Sequence, residues 1–177
     1  VAKPLLAELR DNVQETVNLS VLYEKKYVVN IVTLPGESFI LTSRTLPISP
    51  LHCSAMGKLF LTDMTLQEIQ GYFRAGFPQR TSRTITTYEQ FLPERERIAA
   101  SRIALDNEEY EYGLQCAAAP IFDFKGKIIA AISTTGPITR LSNKGLDLIC
   151  DQVKQTAEKI TRIAALAHLT APSAAYP

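Results

Sequence analysis

Leu114–Phe122 and Lys127–Thr135 are two apolar runs on either side of Phe124-Lys-Gly-Lys127, and this pair constrains the fold more than any other stretch. Runs of this length and composition read as strands, and Lys125-Gly126 between them reads as a two-residue hairpin turn. Such a turn pairs Phe124 with Lys127 and therefore sets Cys116 opposite Thr135 and Ala118 opposite Ser133. Side chains alternate along a strand, so Cys116, Ser133 and Thr135 project from one patch of an otherwise apolar sheet. A register slip of one residue would scatter them. Buried hydroxyls need partners. Here the partners are either nearby backbone groups, which Ser and Thr commonly use, or a ligand.

A second informative stretch is Ser49-Pro-Leu-His-Cys-Ser-Ala-Met-Gly-Lys-Leu-Phe-Leu61, a polar entry into a helix over about 52–63. Leu59, Phe60, Leu61 and Met64 supply apolar residues at helical spacing. The first turn of such a helix carries unpaired N–H groups at the positive end of the macrodipole, a seat for a carboxylate or phosphate. Ala55, Met56 and Gly57 bear no charge, so main-chain donors would do the holding. Free donors occur at every helix start, and this feature alone says little.

Composition narrows the class. With 177 residues, 46% hydrophobic and 21% charged, the chain fits one globular domain with a substantial core. A formal charge of +1 argues against a nucleic-acid surface on these residues. No apolar run reaches membrane-spanning length and no basic-plus-apolar leader opens the chain. Cys53, Cys116 and Cys150 fit neither a disulfide framework nor a metal motif, which points to a reducing, cytoplasmic compartment.

In chain order, residues 3–18 read as an amphipathic helix on Leu5, Leu6, Leu9, Val13 and Val17. Leu19–Tyr23 and Tyr27–Leu34 form a strand pair about Glu24-Lys-Lys26, and Ser38–Thr42 reads as a third strand after the Pro35-Gly36 turn. Two prolines exclude regular helix or central strand from Leu46–Pro50. Thr65-Leu-Gln-Glu68 and Thr87-Tyr-Glu-Gln90 are capping boxes that open helices over about 66–73 and from 87 to about 102. Between them lies a polar loop with Arg74, Arg80 and Arg83 and no acidic residue, a solvated connection or a basic contact surface. Ile103–Leu105 is a short strand. Asp106-Asn-Glu-Glu109 repeats the capping pattern, with Gly113 stopping a helix of one or two turns. Gly136-Pro137 ends the second hairpin strand, and Ser142 caps a long terminal helix over about 143–168. Strands and helices do not strictly alternate, so the expectation is an α+β domain with a largely antiparallel sheet covered by helices.

These residues carry a resemblance. Pro50-Leu-His-Cys-Ser-Ala-Met-Gly-Lys58, Asp106-Asn-Glu-Glu-Tyr-Glu-Tyr-Gly-Leu-Gln-Cys116, Ala118-Ala-Pro-Ile-Phe-Asp123 and Ala131-Ile-Ser-Thr-Thr-Gly-Pro137 resemble the effector-binding domain of the IclR family of bacterial transcription regulators. The blocks run in the family's order from about residue 3 to 168. The resemblance implies a GAF-like domain that holds a small organic acid or aromatic effector, without a cofactor. It implies DNA binding only through an N-terminal winged helix-turn-helix domain, which nothing in this sequence resembles, and assembly as a homodimer or homotetramer. Residues 1–18 would be the end of a linker or the first helix, 19–169 the effector-binding domain and 170–177 a frayed tail. The site residues it implies are Ala55, Met56, Asp106, Leu114, Cys116, Ser133 and Thr135, with Leu41 as further apolar wall. Met56 and Thr135 stand where oxo-acid-binding members carry a smaller residue and a second Ser, which reshapes the cleft.

Enzyme chemistry finds little support. His52 and Cys53 are neighbours, and adjacent residues on a helix diverge by about 100°, which suits no nucleophile–base pair. His52 and the cysteines sit at no recognised metal spacing. The alternative to a regulator's sensing half is a stand-alone small-molecule sensor or protein-interaction module.

Overall fold

The computed structural model describes residues 2–36 and 48–170. Leu41, the strand expected at Ser38–Thr42 and the tail after Thr170 lie outside the described residues. In chain order the elements are α1 (Ala2–Val13), β1 (Thr16–Tyr23), β2 (Tyr27–Leu34), β3 (Ile48–Pro50), α2 (Ala55–Thr62) and α3 (Leu66–Phe73), then α4 (Tyr88–Ser101), β4 (Ala104–Asn107), β5 (Leu114–Phe122), β6 (Ile128–Pro137), α5 (Ile138–Lys144) and α6 (Leu146–Thr170). The described strands form a six-stranded antiparallel sheet in the order β3-β2-β1-β6-β5-β4. This is the expected α+β architecture.

Each face of the sheet has its own apolar layer, because strand side chains alternate. Ala117, Ala119 and Ile132 meet Leu6 and Leu9 of α1 and Ile149, Val153 and Ala157 of α6. Ala118, Ala131 and Val28 meet Ala55, Leu59 and Phe60 of α2 and Phe91 of α4. The amphipathic stripes of α1 and α6 thus cover their own sheet. Small residues at the centre of β5 let helices approach both faces. The capping boxes at Thr65/Glu68 and Thr87/Gln90 form as the sequence indicates.

Several boundaries differ from the sequence reading. The first helix stops at Val13 rather than running to residue 18. Gln14 takes a left-handed φ of 54° with its N–H on Arg10 O at 2.7 Å, and Val17 joins β1. Asp106-Asn-Glu-Glu109 opens no helix: β4 continues to Asn107, and a turn-rich loop follows. Gly136 and Pro137 lie within β6. Ser142 belongs to α5, and Gly145 (φ +89°) separates that short helix from α6. The helix expected from residue 52 begins at Ala55.

The hairpin turn also differs, in a way that leaves its register intact. Asp123 N–H bonds Lys127 O, Gly126 N–H bonds Asp123 O, and Gly126 adopts φ +79°. This is a three-residue loop with glycine in the left-handed position, not a two-residue turn. Asp123 Oδ1 steadies it by accepting from Lys125 and Lys127 N–H at 2.8 and 2.9 Å. Phe122 consequently faces Ile128, and an irregularity between Ile121 and Phe122 absorbs Ile129. Beyond that bulge Ala118 faces Ser133 and Cys116 faces Thr135.

Candidate functional site

The segment before α2 builds a tight corner. Ser54 Oγ donates to Pro50 O at 2.6 Å and accepts from Gly57 N–H at 3.1 Å, so it caps the helix and closes the turn that precedes it. Gly57 permits this. A Cβ there would stand 2.4 Å from Leu51 Cα and 2.6 Å from Leu51 O and Pro50 O, all rigid backbone. With Gly57 N–H capped and Lys58 N–H on Ser54 O at 3.0 Å, the N–H groups of Ala55 and Met56 open the helix without an intrahelical acceptor.

This helix start faces the hairpin across a cavity of about 210 Å³. Ala55, Met56, Asp106, Leu114, Cys116, Ser133 and Thr135, drawn from α2 and three strands, all line it. Ser133 is buried, and Asn18 Nδ2 points to its Oγ at 3.5 Å from β1. Asn18 Oδ1 in turn accepts from Thr33 Oγ1 at 2.9 Å. Asn18, Asn30 of β2 and Ser49 of β3 extend the polar wall and were missing from the sequence reading. Their signal was faint. Each interrupts an apolar run or sits beside prolines, but only the pairing of Asn18 with Ser133 across β1 and β6 brings them to the cavity.

Asp106 lines the cavity and is 1% exposed. Its Oδ1 accepts from Glu109 N–H at 2.8 Å and Tyr110 N–H at 3.3 Å, so the capping geometry read from sequence survives as a turn. Cys116 Sγ approaches Oδ2 at 4.0 Å. Burial, together with the neighbouring Glu109 carboxyl, pushes the Asp106 pKa up to about 7. The Cys116 thiol is pushed up too, chiefly by burial and then by Asp106. Behind this pair Lys58, 1% exposed, reaches Glu109 Oε1 at 2.5 Å and Glu94 Oε1 at 2.8 Å.

The loop after β4 forms one wall of the cavity through Tyr110, Tyr112 and Gly113. The basic loop after α3 clasps it. Thr81 Oγ1 donates to Glu108 O at 2.6 Å, Thr84 Oγ1 to Glu109 O at 2.7 Å, and Ser82 N–H to the Tyr112 hydroxyl at 2.9 Å. The Arg80 guanidinium sits 4.3 Å from the centre of the Tyr110 ring, and Arg83 lies 3.8 Å from Glu108. Arg80 and Arg83 thus brace the loop that walls the cavity while remaining exposed.

Residues 1–162 match the model of the family described as bacterial transcriptional regulator IclR, C-terminal. The chain belongs to the IclR family. It corresponds to that family's C-terminal, effector-binding domain. It is 34% identical over 91% of its length to an uncharacterized HTH-type transcriptional regulator of Haemophilus influenzae, covering 62% of that protein. It is 32% identical over 90% of its length to the HTH-type transcriptional regulator BhcR of Paracoccus denitrificans, covering 58%. The chain thus spans about three fifths of the length of these relatives. The crystal structure of transcriptional regulator YaiJ superposes with a TM-score of 0.87 at 29% identity, covering 93% of both chains. These relatives are transcriptional regulators, not enzymes.

In this IclR-family domain His52 and Cys53 fill structural places at the foot of α2. His52 is buried and stacked on Phe77 at 4.1 Å, and its Nδ1 shares a 3.0 Å hydrogen bond with the Tyr72 hydroxyl. Burial and then Arg80 hold its pKa down at about 4, so the ring is neutral. Cys53 is fully buried, and burial pushes its thiol up to about 12, far from a reactive thiolate. Among the described residues no cluster of three or more His, Cys, Asp and Glu is placed to hold a metal ion, and no helix is long and apolar enough to cross a membrane.

Proposed function

We propose that this chain is the ligand-sensing domain of a DNA-binding transcriptional regulator and that the cavity beside α2 binds a small organic-acid or aromatic-acid effector. One observation carries the reading: residues from four separate segments, among them the N–H start of α2 and the Ser133 and Thr135 hydroxyls, converge on one cavity. The Ala55 and Met56 N–H groups, at the positive end of α2, take the carboxylate, and the Ser133 and Thr135 hydroxyls add donors to it. Leu114, Met56 and Pro137 supply apolar wall, and Cys116 is a small soft filler. Filling the cavity biases the position of β6 and α2 and, through an N-terminal DNA-binding domain of the kind that HTH-type relatives are named for, changes operator affinity.

A thermal-shift panel of oxo-acids, hydroxy-acids, sugar acids and aromatic acids tests this reading. A ligand at 100 times its Kd adds about 2.7 kcal/mol, or about 5–10 °C for a domain of this size. The shift is expected to be lost in both Ser133→Ala and Met56→Trp. A shift that survives both changes places the ligand elsewhere, and a panel with no shift rejects the organic-acid reading.

A further inference from the structure

We propose that Asp106 recognises the effector as an uncharged carboxylic acid, so that the cavity accepts one carboxylate, refuses a second negative charge or a phosphate, and takes up a proton as it fills. This rests on the cavity being the effector site.

The charges around the cavity support it first. Among the described residues that line it there is no lysine, arginine or histidine, while Asp106 and Glu111 both bring carboxyl groups. Among these described residues an anion is held by neutral dipoles. Such a seat suits a single delocalised charge. A phosphate dianion or a second carboxylate would lack the guanidinium or ammonium that usually meets it.

The second support is the surroundings of Asp106 itself. One oxygen is occupied by the Glu109 and Tyr110 N–H groups, and the other meets only the Cys116 thiol at 4.0 Å. The cation behind it, Lys58 of α2, is already shared between Glu94 of α4 and Glu109. Arg97 of α4, the second cation of that network, chelates Glu94. Two cations thus face two carboxylates, and among the described residues an ionised Asp106 would be a third negative charge with no cation of its own. From the loop after α3, Arg80 is engaged over the Tyr110 ring, and from the approach to α2 Cys53 contributes a neutral thiol. From the far wall, Tyr110, Glu111 and Tyr112 add no cation. With its pKa raised to about 7, Asp106 keeps its proton through the weakly acidic range and gives it up above.

An anion brought to the α2 start, beside this carboxyl, raises the cost of ionising it. The acid form instead donates its O–H to an oxygen of the effector. Free Asp106 is largely ionised at pH 8, so binding there draws one proton from solvent, whereas binding at pH 6 draws almost none.

The test is isothermal titration calorimetry of the 177-residue chain with matched probes: gluconate against 6-phosphogluconate, glycerate against 3-phosphoglycerate, and benzoate against phthalate. Titrations run from pH 6 to 9 in two buffers of different ionisation heat, a range in which the probes' carboxyls stay ionised. At least one monocarboxylate is expected to bind, with its more highly charged counterpart at least 100-fold weaker at pH 8. Its affinity is expected to fall about tenfold per pH unit above 7, with close to one proton taken up at pH 8. Asp106→Asn, which cannot ionise, is expected to remove both the slope and the buffer dependence. Flat affinity from pH 6 to 9 for that monocarboxylate, or equal binding of its more highly charged counterpart, overturns the inference while the cavity assignment stands. Binding that persists in Met56→Trp and Ser133→Ala, or no monocarboxylate binding at all, overturns the cavity assignment and the inference with it.

Discussion

Arg140 chelates Glu15, its Nε and Nη2 each 2.5 Å from a carboxylate oxygen, and Glu15 is completely buried where α1 hands over to β1. Lys144 adds a third contact at 2.8 Å and also caps Val13 O at the end of α1. The two cations remain about one-third exposed and can rehydrate, whereas the carboxylate cannot. The two sides of the pair should therefore respond unequally. Arg140→Met leaves a buried charge underneutralised and should cost about 3–5 kcal/mol in urea unfolding. Glu15→Gln, which removes the buried charge itself, should cost clearly less. Equal losses would mean that the carboxylate finds water in the variant.

Gly57 is fixed by the corner it turns. Its missing Cβ would collide with Leu51 and Pro50 backbone atoms that the Ser54 hydrogen bonds hold in place. Elsewhere in a helix Gly→Ala stabilises by roughly 1 kcal/mol. Here Gly57→Ala should destabilise by about 3 kcal/mol or more, as overpacking against backbone does at its upper end. Gly71, in α3 with open space at its Cβ, is the control: Gly71→Ala should raise the urea midpoint.

That contrast bears on what the sequence made legible. Capping boxes are local, and both formed because Thr65 and Thr87 need only a partner three residues on. The hairpin was legible for a different reason. Its apolar runs fixed the alternation, and a glycine-containing loop plus one bulge at Ile129 restored the register that a simpler turn would have given. The end of α1 was illegible because Val17 continues the helical spacing while Gln14 breaks the helix with a positive φ that its residue type does not announce. Asn18, Asn30 and Ser49 escaped notice because strand order is non-local. Nothing within β1 says that β6 will lie beside it. Cys116, Ser133 and Thr135 were legible from the hairpin register, and Asp106 through the resemblance to the IclR family; the residues contributed by β1 to β3 were not.

The clasp between the two loops gives a third prediction. Thr84 Oγ1 accepts from Arg80 and Thr81 N–H and donates to Glu109 O, so one buried hydroxyl organises both strands of the contact. Thr84→Val keeps the shape and leaves those groups unpaired, at a cost of about 1–3 kcal/mol. Hydrogen exchange should show faster exchange at residues 108–113 with the protection of β5 and β6 unchanged. A uniform loss of protection would instead place Thr84 in the global folding unit.

Stability should respond to pH through two buried groups that oppose each other. The folded His52 pKa is held down at about 4 from 6.5, by burial and then by Arg80, so the native state binds fewer protons than the unfolded chain in that window. Its contribution is lost as pH falls from about 6.5 to 4. The folded Asp106 pKa is raised to about 7 from 3.8, by burial and then by Glu109, so the native state binds more protons there, and stability is lost as pH rises from about 4 to 7. Each slope approaches 1.4 kcal/mol per pH unit at most, and in the wild-type chain they largely cancel between about pH 4 and 6.5. Substitution separates them. Relative to wild type, Asp106→Asn should gain stability as pH rises from 4 to 7 and then level off. His52→Phe, whose ring can keep the stack on Phe77, should gain as pH falls from 6.5 to 4. Urea titrations at four pH values between 4.5 and 7.5 decide the matter. If the two difference curves share a sign, or both are flat, these two residues are not the ones that bind protons differently in the folded state.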